Sequence, residues 1–109
     1  MDQPPPIKRL QRKLTIDVLW IYIVSVLLSE GPTYGYDVRR RISEKYGFKP
    51  ATVTTYTVLY RLERERVLEK DESGVYKVTQ YGEKLYEKAL EILRGTLEKL
   101  EEVSRRKRS

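Results

Sequence analysis

The sequence of 109 residues contains no cysteine, no histidine and no asparagine. Without cysteine there is no disulfide, no zinc–thiolate site and no thiol nucleophile. Without histidine there is no imidazole base, which excludes a Ser-His-Asp machine. Methionine occurs once, as Met1; so few labile residues beside many Lys, Glu and Arg give a thermophile-like composition. A Gly-rich phosphate loop, a metal-ligand cluster and an activated nucleophile are all missing as well. The sequence therefore reads as no enzyme, with neither a metal nor a cofactor. Long hydrophobic runs are scarce. The densest, Leu14 to Leu28, has 12 apolar residues of 15 and is broken by Asp17 and Ser25, whereas a spanning helix needs about 20. No small-residue cleavage site follows it. The expectation is a cytoplasmic protein with no membrane partner.

Charge is plentiful: 22 Lys+Arg face 16 Asp+Glu, a net +6, and 35% of residues are charged against 39% hydrophobic. That balance is too apolar for a disordered chain and basic enough to favour an anionic partner. A chain of this length forms one domain with a real core. The charge is uneven. Residues 31–66 carry a net +4 and the tail 104–109 another +4, while residues 80–103 carry −2.

Met1 to Pro6 reads as a proline-stiffened start that leads into a basic collar of Lys8, Arg9, Arg12 and Lys13, so residues 1–13 are expected as a flexible basic arm. The Leu14–Leu28 run predicts a helix apolar nearly all round, stopped by Gly31 and Pro32. Thr33 is the expected N-cap of a second helix that reaches about Lys45. After a turn at Tyr46–Lys49, Pro50 suits the first position of a third helix, residues 51–66. On it Ala51, Thr55, Val58, Leu59 and Leu62 share one face. Two strand-like segments, 67–70 and 75–78, flank the loop Asp71–Gly74 and predict a β-hairpin. Thr79 then caps a long last helix over residues 80–103.

Helix, helix, turn, helix, hairpin is the order of a winged helix-turn-helix. The fold class expected is mainly α with a small hairpin: a DNA-binding domain over residues 14–79, a dimerisation helix over 80–103 and a basic tail over 104–109. The major groove, about 12 Å wide, accepts one α-helix, and the preceding helix fixes its entry angle. Helix 51–66 is the expected reading helix. Thr54 and Thr57 can bond base edges through the hydroxyl and touch thymine through the methyl, while Arg61 and Arg64 suit phosphates. Thr52, which reads first as a cap or core-edge residue, Val53 and Tyr56 complete that helix's candidates. Arg39, Arg40 and Lys49 are candidates before it, and Lys70 and Lys77 on the hairpin. Tyr34, Tyr36 and Tyr76 read as packing residues with wet hydroxyls.

In the last helix Tyr86, Leu90, Leu93, Leu97 and Leu100 follow spacings of 4, 3, 4 and 3, a coiled-coil seam. Leu85, Ala89 and Ile92 widen it, and Trp20 is expected to join it. A second copy of the chain is the expected cover, so the partners are double-stranded DNA and a homodimer mate. Gly95, unfavourable inside a helix, is expected at a close crossing or a kink.

Three segments resemble the PadR-like transcriptional regulators. Gly31 to Val38 (GPTYGYDV) is similar to that family's "GP-x-[HY]-GYE-[IL]" opening. Thr54 to Glu63 (TTYTVLYRLE) resembles its "T-x-YPLLYRLE" reading helix, and Tyr76 to Gly82 (YKVTQYG) its "YRLTxxG" wing exit. Thr57 departs from the usual proline, and Arg66 from the glycine that αL geometry favours. The resemblance implies a dimeric winged-helix repressor; some relatives respond to phenolic acids or hydrophobic drugs, hence an expected small hydrophobic effector. The competing readings are a winged-helix protein–protein module and an RNA- or ribosome-associated one.

Overall fold

The structure is a computed structural model that describes residues 3–108, with side chains through Arg105. Its elements are α1 (Pro5–Lys13), α2 (Leu19–Glu30), β1 (Thr33–Tyr34), α3 (Gly35–Tyr46), α4 (Thr52–Arg64), β2 (Leu68–Lys70), β3 (Val75–Val78) and α5 (Gln80–Arg108). Met1, Asp2 and most of the expected basic tail lie outside the described side chains, although the backbone of α5 continues to Arg108.

The start of the chain differs from expectation. Residues 5–13, expected as an arm, are helical, because prolines at the first two positions pre-set φ and IKRLQRK is built of helix formers. Nothing on α1 is buried. The apolar run then does not form one helix from Leu14. Residues 14–18 make turns and α2 begins at Leu19. The Thr15 hydroxyl donates to the Gln11 carbonyl at 2.9 Å, the Tyr22 hydroxyl donates to the Leu14 carbonyl, and Asp17 pairs with Lys13 at 2.9 Å. These bonds hold the turns together, while Thr15, Ile16, Asp17 and Val18 are mediocre helix formers that weaken the ladder there. The run is also less covered than expected, since Leu14, Ile16 and Leu28 are exposed.

Thr33 does not cap α3. It belongs to β1, a strand too short to leave a periodic signal, which pairs antiparallel with β3 (Thr33 opposite Tyr76). Its hydroxyl donates instead to the Asp37 carboxylate at 2.9 Å. The sheet therefore has three strands in the order β1-β3-β2, where two were expected. Pro50 is buried just ahead of α4, and Ala51 is an exposed N-cap rather than an inner-face residue.

The core draws Leu19, Ile23, Val24, Val26 and Leu27 from α2, Val38 and Ile42 from α3, Val58, Leu59 and Leu62 from α4, and Val67, Leu68 and Tyr76 from the hairpin. Arg41 is buried among them and donates to the carbonyls of Val26 at 3.2 Å and Gly31 at 2.6 Å. It thereby ties the end of α2 to α3. Thr79 caps α5 as expected, its Oγ1 accepting the Gly82 amide at 2.9 Å. At Gly82 the two segments nearly touch: an added Cβ would lie 2.2 Å from the Val67 carbonyl oxygen.

Candidate nucleic-acid interface

Helix α4 has two unlike sides. Inward, Thr55, Val58, Leu59 and Leu62 are buried, Thr55 completely. Thr55 survives there because its hydroxyl donates to the Ala51 carbonyl at 2.8 Å, which satisfies an otherwise costly buried polar group. Outward, Val53 is 78% exposed and Tyr60 53% exposed, with Thr57, Arg61 and Arg64 also exposed and Thr54 half-buried. A β-branched apolar residue presented so fully suits contact with a thymine methyl. The Thr57 hydroxyl donates to the Val53 carbonyl at 2.8 Å, which spends its proton and leaves its lone pairs for a base amino group. Val53, Thr54, Thr57 and Arg61 border an open hollow of about 520 Å³ together with Ile16 and Asp17 from the α1–α2 turn.

The helix ends in a Schellman turn. The Arg66 amide donates to the Glu63 carbonyl at 3.1 Å and the Val67 amide to that of Leu62 at 2.9 Å. Arg66 sits at φ 65°, the one non-glycine residue with positive φ among the described residues.

The cations divide into free and engaged groups. Arg61, Arg64 and Lys49 are exposed. Arg40 is bound to both Asp37 (2.6 Å) and Glu44 (2.5 Å). Burial pushes the Asp37 carboxyl up, but the hydrogen bonds from Thr33 and Arg40 and the charges of Arg40 and Arg41 outweigh it and hold the group below its ordinary value. Arg39 is half-buried and its Nε donates to the Pro50 carbonyl, so it braces the turn into α4. Lys77 pairs with Glu69 across the hairpin at 3.6 Å. Lys70 lies 4.0 Å from Glu63 and over the rings of Tyr60 and Tyr76. Arg39 and Arg40, expected as DNA contacts, are thus engaged within the fold.

The tyrosines are the surprise. Tyr76 packs as expected, and burial, reinforced by Glu63, Tyr60 and Tyr56, pushes its hydroxyl up to about 12. Tyr36, by contrast, is 68% exposed and stacks on Tyr34 with ring centres 5.6 Å apart. It borders a hollow of about 200 Å³ with Arg39, Ser43 and Lys49, on the side of α3 that leads into α4. Sequence reasoning missed it because its neighbours Gly35 and Val38 are buried, and an aromatic among core positions reads as core. Tyr56 is half-buried against Gly35, where an added Cβ would meet its ring at 2.7 Å.

Of the residues expected at a dimer interface, Leu85 and Tyr86 pack partly on the chain's own core, as does Trp20. Ala89 and Leu90 are half-buried. Ile92, Leu93, Leu97 and Leu100 are exposed along a helix that projects from the body. An added Cβ at Gly95 would meet open space, so the chain makes no close crossing with itself there. Among the described residues no helix is long and apolar enough to cross a membrane, and no cluster of three His, Cys, Asp or Glu could hold a metal.

Helix α4 seated on α3 and followed by the β2–β3 hairpin, whose sheet β1 completes from ahead of α3, defines a winged helix-turn-helix protein. The family model described as the transcriptional regulator PadR-like family matches residues 23–88. This chain belongs to that family, which establishes it as a member of a group of transcriptional regulators. It is similar to a solved transcriptional regulator from Clostridium thermocellum at 25% identity and a TM-score of 0.65, over 76% of this chain and 89% of that one. A winged-helix DNA-binding protein from STIV shares the fold at 21% identity and a TM-score of 0.64, over 71% and 88%. So does a protein from Thermoplasma acidophilum at 21% identity and a TM-score of 0.58, over 81% and 94%. A comparison with curated proteins found no match.

Proposed function

We propose that the chain is a cytoplasmic, dimeric repressor that binds a palindromic operator by seating α4 in the major groove. The observation that carries this is the two-sidedness of α4: Thr55, Val58, Leu59 and Leu62 buried behind, Val53, Thr54, Thr57 and Arg61 open in front. Val53, Thr54 and Thr57 read base edges. Thr52 and Tyr56 flank them, and Arg61, Arg64 and Lys49 hold phosphates, with Tyr36 joining from α3. Arg39 serves mainly by bracing the turn, while Arg40 and Lys77 reach DNA only by leaving their carboxylate partners. The residues past Val103 add sequence-independent attraction.

The exposed seam of α5 supports the dimer, because leucines in contact with water lose burial worth about 25 cal/mol per Å². Two reading helices about 34 Å apart then select half-sites one helical turn apart. A small hydrophobic effector fits best in the hollow of about 280 Å³ lined by Trp20, Val58, Leu62, Val67 and Leu85 together with the charged Arg61 and Glu65, which touches both the reading helix and α5.

Selection of bound duplexes from a random pool tests the reading. A recurrent inverted repeat with half-site centres about 10 base pairs apart is expected. Recovery of sequences with no common motif, or better recovery of RNA, would remove it.

A further inference from the structure

We propose that Lys70 is a positioning residue, the pin of a clasp that fixes the wing to the reading helix, rather than a phosphate ligand of the wing. Lys70 stands opposite Tyr76 in the β2–β3 register. Its Nζ lies 5.8 Å from the centre of the Tyr76 ring, 5.5 Å from that of Tyr60 and 4.0 Å from the Glu63 carboxylate. Tyr60 and Glu63 are three residues apart on α4 and so share one edge of that helix. Tyr76 is buried, which makes it an immobile floor for the ammonium, and Tyr60 is half exposed and forms the wall. One cation is thus held between an element that enters the groove and an element that flanks it.

The base of the wing is held by the burial of Leu68 and Tyr76 in the core and by the pairing of β3 with β1, and the clasp adds a tie at its exposed edge. β2 spans three residues and β3 four, and two short strands are marginal without packing on a helix. The Asp71–Gly74 loop is ordered from within: the Asp71 carboxylate accepts from the Ser73 and Val75 amides at 2.9 and 3.0 Å. That shapes the tip. Lys70 adds a tie between the exposed edge of the hairpin and α4 beyond the buried contacts of Leu68 and Tyr76, and cation–π attraction tolerates the partly wet site better than an exposed ion pair would. A wing set in advance spares DNA binding the cost of ordering it.

The test compares Lys70→Met, which keeps the stem and loses the charge, with Lys70→Arg, which retains a cation able to stack on both rings. In the free full-length protein, hydrogen exchange of the amides in residues 68–78 should quicken about tenfold in Lys70→Met, the worth of two partly exposed cation–π contacts. Exchange in α2 and α3 should stay unchanged, and Lys70→Arg should restore the hairpin. Unchanged exchange in Lys70→Met overturns the clasp whatever the protein binds.

The second readout rests on the proposed DNA-binding role and uses the duplex selected by the wild type beside a scrambled duplex. In Lys70→Met the preference for the selected duplex should fall up to about tenfold, while the slope of log affinity against log salt holds. A slope reduced by about 1, with both affinities falling alike, makes Lys70 a phosphate ligand and ends the positioning role. A wild type without any duplex preference sinks the proposed function and the positioning role with it, while the exchange result still judges the clasp.

Discussion

Replacing Arg66 by glycine should make the protein more stable. Arg66 occupies the left-handed position of the turn that ends α4, at φ 65°, where a Cβ costs about 1–2 kcal/mol. Glycine removes that cost but enlarges the conformational freedom of the unfolded chain, a penalty of roughly 0.5–1 kcal/mol. The Arg66 side chain is exposed, so little packing is lost with it. The net gain is about 0.5–1 kcal/mol, and for a chain of this size it raises Tm by about 2–4 °C. Urea unfolding at fixed protein concentration measures it directly: the midpoint should rise with the slope unchanged. Two controls separate backbone from charge. Arg66→Ala removes the guanidinium and keeps the Cβ, and should be nearly neutral. Arg66→Asn should fall between, because asparagine tolerates this region. A glycine variant no more stable than the alanine variant would show that the turn stores no strain.

Gly82→Ala should do the opposite. Its new Cβ meets a backbone oxygen at 2.2 Å, and no rotamer can relieve that, so a loss of at least about 2 kcal/mol is expected from overpacking; calorimetry that finds less than half of this would mean α5 can shift freely. Acid stability should depend on Asp37. Its carboxyl is held below the ordinary value of 3.8 in the fold, so its contribution is present above that value and is lost as pH falls through the lower folded one. Asp37→Asn should flatten this part of the stability curve, and an unchanged acid limb counts against the network. Arg61→Ala should lower the salt slope of duplex binding by about 1, and an identical slope would take Arg61 off the phosphates. Leu97→Glu, at an exposed seam position, should yield monomers in sedimentation at concentrations where the wild type pairs; persistent dimers would place the contact elsewhere.

The parts of the fold legible in the sequence are those governed by a period or a local chemical rule. The inner face of α4 follows from the spacing of Thr55, Val58, Leu59 and Leu62. The cap at Thr79 follows from side-chain reach, whereas the left-handed turn at Arg66 is signalled only by the family resemblance, whose pattern has glycine there. What escaped was decided by tertiary contact. β1 has two residues and exists only because β3 offers it an edge. Residues 14–18 continue an apolar run long enough to read as helix, yet Thr15, Ile16, Asp17 and Val18 are mediocre helix formers and settle into turns. Tyr36 looks like its buried neighbours until the backbone turns it outward.

Charge shows most clearly why counting residues misleads. The net +4 of residues 31–66 suggests a cationic surface in which each arginine is equivalent. Within the fold Arg41 is buried against two carbonyls, Arg40 is held between two carboxylates and Lys45 lies 3.6 Å from Glu30 on the preceding helix. These three cations organise α3 and its junction with α2, and their fields are largely cancelled at short range. The exposed Lys49, Arg61, Arg64 and Arg66 remain, spread along α4 from the turn before it to the turn after it. Arg40 and Arg41 build the support, and on the proposed function it is the sparser cations along α4 that carry the attraction to an anionic partner.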